Sequence, residues 1–214
     1  MRAFVTLGVL ALGFFGSSAD ATTLSLDAVT TVHLYQQTSN NPCVIGDPSC
    51  HNGSFAETVL PSGASSYDAL SPLYHVSDIR TALNGGNTFI IGIDINQTSV
   101  AQTLSLFQMS INGVVVDTYS ASPATSVPAT AGGGNGNGYA DYILTGFTDL
   151  TPYNATDTVQ FHVVMPLVND GREEFFLIPD EGGGVVQATP EPFSMLLAGA
   201  GLLSLGLYRR FATR

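Results

Sequence analysis

The chain is 214 residues long, enough for one domain of ordinary size, and carries 17 acidic residues against six arginines and no lysine. Of the acids only Asp20 and Glu191 lie outside Thr22–Thr189, which leaves 15 against Arg80 and Arg172, a net of −13. So acidic a surface repels phosphate backbones and excludes nucleic acid as a partner. It suits a solvated secreted protein, or one that collects divalent cations.

Met1-Arg2 forms a minimal positive n-region, Ala3–Phe15 an apolar run, and Ala19-Asp20-Ala21 a small-residue cleavage site. That order predicts a secretory signal peptide over 1–21, a signal helix too short to span a membrane and cleaved after Ala21. The exported domain then occupies 22–181.

Its first predicted strand sets Val32, Leu34 and Gln36 against His33, Tyr35 and Gln37. Next come Cys43 and Cys50, with the turn-forming Gly46-Asp47-Pro48 between them. In the oxidising compartment beyond the membrane they are expected to form a disulfide that pins a surface loop. Metal binding by Cys43, Cys50 and His51 lacks a fourth ligand at a zinc spacing. Residues 38–66 and 120–138, rich in Ser, Asn, Gly, Ala and Pro, read as long surface loops. A short helix is expected at Ser77–Leu83, with Ser77 as N-cap and Val76, Ile79 and Leu83 on one side.

Phe89, Ile91, Ile93 and Ile95 alternate with Ile90, Gly92, Asp94 and Asn96, which predicts a strand with the second set outward. Leu104–Ile111, Asn112-Gly113 and Val114–Tyr119 form a hairpin signal, since Asn-Gly supplies the positive φ angles of a type I′ turn. The alternation slips after Leu106, so a bulge is expected there. Val159, Phe161, Val163 and Met165 alternate with Gln160, His162 and Val164; Asn169-Asp170-Gly171 then turns into Glu173–Ile178, expected as its antiparallel partner. Short strands, Gly- and Pro-rich turns and almost no helical period indicate an all-β fold, an antiparallel β-sandwich with at most one short helix.

Chemistry is sparse. Gly133–Asp141 offers Asn135, Asn137 and Asp141 at calcium-loop positions, although Gly133 stands where a charged first ligand belongs. A pair of Asp94 with Asn96 is a second cation candidate. No other cofactor is indicated. There is no Gly-x-Ser-x-Gly or His-Glu-x-x-His motif, and His33, His51, His75 and His162 are scattered. Glu173 and Glu174 point to opposite faces of a strand, unsuited to a glycosidase pair. The residues therefore point to binding or structure, not catalysis; a secreted polysaccharide-active hydrolase is the reading from another class. Without tryptophan, a sugar-binding face would draw on Tyr35, Tyr67, Tyr74, Tyr139 or Tyr142.

A linker at 182–189 leads to Pro190-Glu191-Pro192, an apolar segment Phe193–Tyr208, and a basic tail with Arg209, Arg210 and Arg214. As a helix the segment reaches about 24 Å, a marginal single transmembrane helix against a hydrocarbon core of about 30 Å. The arginines favour the cytoplasmic side, which sets the domain outside. The two prolines make the motif a stiff, non-helical peptide just beyond the membrane. This tripartite tail, 190–214, resembles the PEP-CTERM sorting signal of Gram-negative bacteria. The resemblance implies general secretion, transient anchoring in the inner membrane, and processing by an exosortase. The final address would then be the cell surface or an extracellular matrix, with exopolysaccharide and biofilm as the setting. It names no activity for the domain.

Overall fold

The computed structural model describes residues 20–31, 33–96, 101–129, 136–168 and 171–180. Among them are twelve strands and one helix: β1 (Thr22–Thr23), β2 (Ser25–Ala28), β3 (Cys43–Gly46), β4 (Thr58–Val59), β5 (Tyr67–Leu70), β6 (Tyr74–His75), α1 (Val76–Ala82), β7 (Phe89–Asp94), β8 (Gln102–Ile111), β9 (Val114–Val127), β10 (Tyr142–Thr145), β11 (Thr158–Met165) and β12 (Glu174–Pro179). The fold is all-β. One sheet runs β1-β9-β8-β11-β5, with β6 also on β11; the other runs β2-β10-β7-β12-β3-β4. Pairing is antiparallel except at two edges, where β1 lies parallel to β9 and β4 parallel to β3.

Period-two sequence becomes period-two burial. Along β11 the core face is Val159, Phe161, Val163 and Met165, all fully buried. These meet Phe89, Ile91, Ile93, Phe175 and Leu177 of the other sheet in one apolar core. Phe107 bridges the layers, 6.0 Å from Phe161 and 5.7 Å from Phe175 between ring centres. The β8–β9 hairpin turns at Asn112 and Gly113, with φ of 52° and 76°, and its register shifts between Leu104 and Leu106, just ahead of the slip in alternation after Leu106.

β7 and β12 differ because both of their faces are covered. Their outer side chains Ile90, Phe176 and Ile178 join Val29, Cys43, Cys50 and Ala140 in a second, smaller cluster. Continuous apolar runs such as Phe175-Phe176-Leu177-Ile178 are what a strand buried on both sides requires. Gly92 belongs to this arrangement. A Cβ there would lie 2.6 Å from the Phe176 ring, so only a bare backbone lets the ring lie across β7.

Several sequence expectations change. Residues 33–37 form no strand: Gln36 makes a single bridge to Tyr139, His33 has φ 56°, and β2 is the strand of that region. β12 does not pair with β11; it crosses to the other sheet and lies between β7 and β3. The stretch 38–66 holds the fully buried β3 as well as loops, and 120–138 begins with the second half of β9, from Ser120 to Val127. The helix starts at Val76 with His75 at its N-cap, because Asp78 accepts the His75 backbone N–H at 2.8 Å. Val76, Ile79 and Leu83 are buried on one side, as expected.

The two arginines of the described residues both serve the fold. Arg80 donates to Asn87 (2.7 Å) and to the carbonyls of Leu150 (2.8 Å) and Tyr153 (3.1 Å). Arg172 donates to the Leu60 carbonyl and pairs with Asp47 at 2.9 Å. Burial would raise the Asp47 carboxyl, but its bonds to Ser49 and Arg172 outweigh this and hold it below the usual carboxylate range.

Candidate functional site

Among the described residues, two places that combine space with polar chemistry stand out. The larger is a groove of about 570 Å³ between the 39–56 segment and the start of α1. Half-buried Phe55 stacks on Tyr74 with ring centres 4.8 Å apart. Tyr74 itself is buried, its hydroxyl donating to the carbonyls of Ala56 (2.7 Å) and Val44 (3.3 Å). Burial pushes that phenol far above its ordinary value, so it stays protonated and structural. Exposed Leu73 adds an apolar edge, while Asn40, Ser54 and Asp78 add polar groups around the ring.

The 39–56 segment that walls the groove contains the disulfide loop, although neither cysteine lines the groove itself. Cys43 and Cys50 are joined, with Cα atoms 6.2 Å apart. The buried Asn52 side chain accepts from the Cys43 N–H at 2.7 Å and donates to Glu57. This fixes the segment that presents Phe55. The cysteines are consumed in the bond, so neither can ligate a metal together with His51, whose side chain is exposed.

The second place lies at one end of β7, on the outer face of its sheet. Asp94 ends β7 and is the direct Cα partner of Glu174, the first residue of β12. On the other side of β7, Asp141 donates its N–H to the Ile93 carbonyl at 2.8 Å and accepts from the Ile95 N–H at 2.9 Å. Glu173 accepts from the Asn96 N–H at 2.6 Å. Asp94, Asp141 and Glu173 are wholly buried and Glu174 is 8% exposed. Asp94 Oδ2 accepts from the Gly138 N–H at 2.6 Å; Asp94 Oδ1 and Glu174 Oε2 are buried without a hydrogen-bond partner. Burial, and then the charges of Glu174, Asp141 and Glu173, push Asp94 up to about 8 against the pull of the Gly138 N–H. Burial, followed by Asp47 and Glu57, pushes Glu174 up to about 7, opposed by a bond from Ser49.

Beside this row is a cavity of about 240 Å³, lined by Glu174, Gln36, Ser49, His51, Asn137 and Gly138. The Asn96 side chain closes the same end between two bare backbones. A Cβ on Gly136 would approach it to 2.5 Å, and one on Gly171 to 1.9 Å.

The proposed calcium loop is arranged differently from its sequence pattern. Asn135 lies outside the described residues. Asn137 is exposed and its Oδ1 accepts from the Tyr139 N–H at 3.1 Å, a local turn, while Asp141 caps the end of β7. The acids that do adjoin, Asp94 and Glu174, come from separate strands, and of the two the sequence offers only Asp94 as a cation ligand. Of the tyrosines, Tyr67, Tyr74 and Tyr142 are buried. Burial raises Tyr67 to about 12, and its hydroxyl donates to the Gly171 carbonyl at 2.9 Å. Tyr35 and Tyr139 are half-buried, Tyr139 lying 4.2 Å from the His33 ring. Half-exposed His162 pairs with Asp68 at 2.7 Å. Sequence reasoning missed Phe55 and Asn52, for which no local motif exists.

Residues 1–19 of the signal segment lie outside the described residues, as do Pro190, Glu191, Pro192, Phe193–Tyr208, Arg209, Arg210 and Arg214. Among the described residues no helix is long and apolar enough to cross a membrane. Compared with family models, curated proteins and solved structures, the chain matches none.

Proposed function

We propose that this chain is an exported surface or matrix protein of the PEP-CTERM type, sorted through its tail by an exosortase, whose domain binds a saccharide ligand of the exopolysaccharide in the groove beside α1. The groove carries this reading. It offers the face of Phe55 to an apolar sugar face, with the Asn40 amide, the Ser54 hydroxyl and the Asp78 carboxylate around it for hydroxyl groups. Export is supported by the Cys43–Cys50 bond, which belongs to an oxidising compartment.

Hydrolysis is less well supported. A glycosidase needs two carboxyls that reach one glycosidic bond. Asp94 is wholly buried and tied to Gly138, so it has no access to a polymer.

Two measurements test the reading. Mass spectrometry of the mature protein from its own host should find residues 1–21 and the Phe193–Tyr208 segment removed; a retained segment overturns the sorting assignment. Binding to the host's purified exopolysaccharide should fall about tenfold or more in Phe55→Ala. Equal binding by this variant overturns the groove assignment.

A further inference from the structure

We infer that the cavity between Glu174 and the Gly136–Gly138 turn, next to the buried Asp94, binds a hard divalent cation, with calcium the ion its chemistry suits. Asp94 and Glu174 are direct Cα partners across the β7–β12 ladder, so their side chains share its outer face. Like charges opposed in this way destabilise a sheet, and an unpaired buried charge costs more still. Each also keeps one buried oxygen without a hydrogen-bond donor, Asp94 Oδ1 and Glu174 Oε2. Asp94 itself is not on the cavity wall, but Glu174, its partner across the ladder, and Gly138, which donates to its Oδ2, are.

No lysine or arginine of the described residues is placed to neutralise this pair; the one basic side chain on the cavity wall is the exposed His51. The described residues hold no lysine, Arg80 is bound to Asn87, Leu150 and Tyr153, and Arg172 to Leu60 and Asp47. The compensating charge therefore has to come from solvent. The rest of the wall is suited to receive it: the Gln36 and Asn137 amides and the Ser49 hydroxyl supply oxygens. An oxygen-rich, irregular set, with Glu174 on the wall and Asp94 next to it, fits calcium, which accepts six to eight ligands at flexible angles, better than magnesium, which demands a regular octahedron. The site differs from a calcium loop because its charged ligands come from two strands and only neutral ones from the turn.

The competing explanation is a pair of acids that remain protonated. Calorimetric titration and thermal melts of the full chain in detergent at pH 8, in EDTA or in excess CaCl2, separate the two. A bound cation gives saturable binding of one calcium per chain and raises the melting midpoint by roughly 5–10 °C at a hundredfold excess over Kd. MgCl2 should give a smaller rise at equal concentration. Asp94→Asn and Glu174→Gln should each weaken calcium binding tenfold or more while raising the midpoint in EDTA, because they remove a buried charge. Asn137→Ala, at an exposed position, should fold normally and weaken binding several-fold. Absence of saturable calcium binding by the unaltered chain overturns the site, as does unchanged affinity in Asp94→Asn and Glu174→Gln. If those two fail to fold, unchanged affinity in Asn137→Ala overturns it.

Discussion

Asn52 clasps Cys43 from both sides: its Oδ1 accepts the Cys43 N–H at 2.7 Å and its Nδ2 donates to the Cys43 carbonyl at 3.3 Å. One side chain thus does for the first residue of β3 what a neighbouring strand does elsewhere. The same Oδ1 takes a bond from Gln37 at 3.3 Å, and Gln37 in turn accepts from the His51 N–H at 3.1 Å. The disulfide closes the loop covalently, and Asn52 and Gln37 fix its shape. Replacing Asn52 by Ala leaves the buried Cys43 N–H unpaired, so Asn52→Ala should cost about 1–3 kcal/mol in urea unfolding. A loss below about 0.5 kcal/mol would show that water takes over both bonds.

Gly92 gives a sharper packing test. With a Cβ 2.6 Å from two Phe176 ring atoms and 2.9 Å from Ile178 Cδ1, Gly92→Ala must push the outer cluster away from β7. Overpacking of this kind costs about 1–3 kcal/mol. The double variant Gly92→Ala with Phe176→Leu should recover part of that loss, because it removes the atoms that clash. Melts of the two singles and the double form the cycle; strict additivity would contradict the proposed contact.

β11 was legible because its alternation is regular and its outer face, with Gln160 and His162, is polar. β7 was legible as a strand, yet its neighbours were not. An outer set that includes Ile90 looks solvent-facing until the 29–50 segment is known to cover it. β11 and β12 follow one another in sequence and so suggest a hairpin. Phe175-Phe176-Leu177-Ile178 has no polar face to leave exposed, and that favours the interior of the second sheet. The acid row was not readable locally. Asp94 and Glu174 lie on different strands and Asp141 immediately precedes a third, and only the ladder register sets them side by side. The groove was hidden for the same reason, since Phe55 and Tyr74 meet only after the disulfide segment has folded against α1.

Arg80 shows how a scarce cation is used. Its fork meets three acceptors on two segments, Asn87 beside β7 and the 150–153 turn, and so ties α1 to both. A lysine carries the same charge but only a single ammonium. Arg80→Lys should therefore lose about 1–3 kcal/mol by leaving carbonyls unpaired. Hydrogen exchange at Leu150 and Tyr153, whose amides bond to Asn87 and Leu150, should speed up with it. Equal stability of the lysine form would show that charge alone suffices there.

The buried acids give the stability a defined slope with pH. Asp94 is raised to about 8 in the folded protein and Glu174 to about 7, whereas both titrate near 4 when unfolded. Between those limits the folded state holds protons that the unfolded chain has released, so stability falls as pH rises. Each group contributes up to about 1.4 kcal/mol per pH unit. Asp47 acts in the opposite sense: its lowered value adds stability above its unfolded pKa that is lost as the pH drops through its folded one. In EDTA the decline should therefore be steepest from pH 5 to 7, where both raised acids contribute, and shallower from 7 to 8, where only Asp94 does. Asp94→Asn should flatten the second part almost completely and halve the first. Urea midpoints at pH 5, 6, 7 and 8 measure this directly. A slope unchanged by Asp94→Asn would mean that the carboxyl is already ionised in the folded protein, with its charge balanced at Oδ1 by something other than a proton.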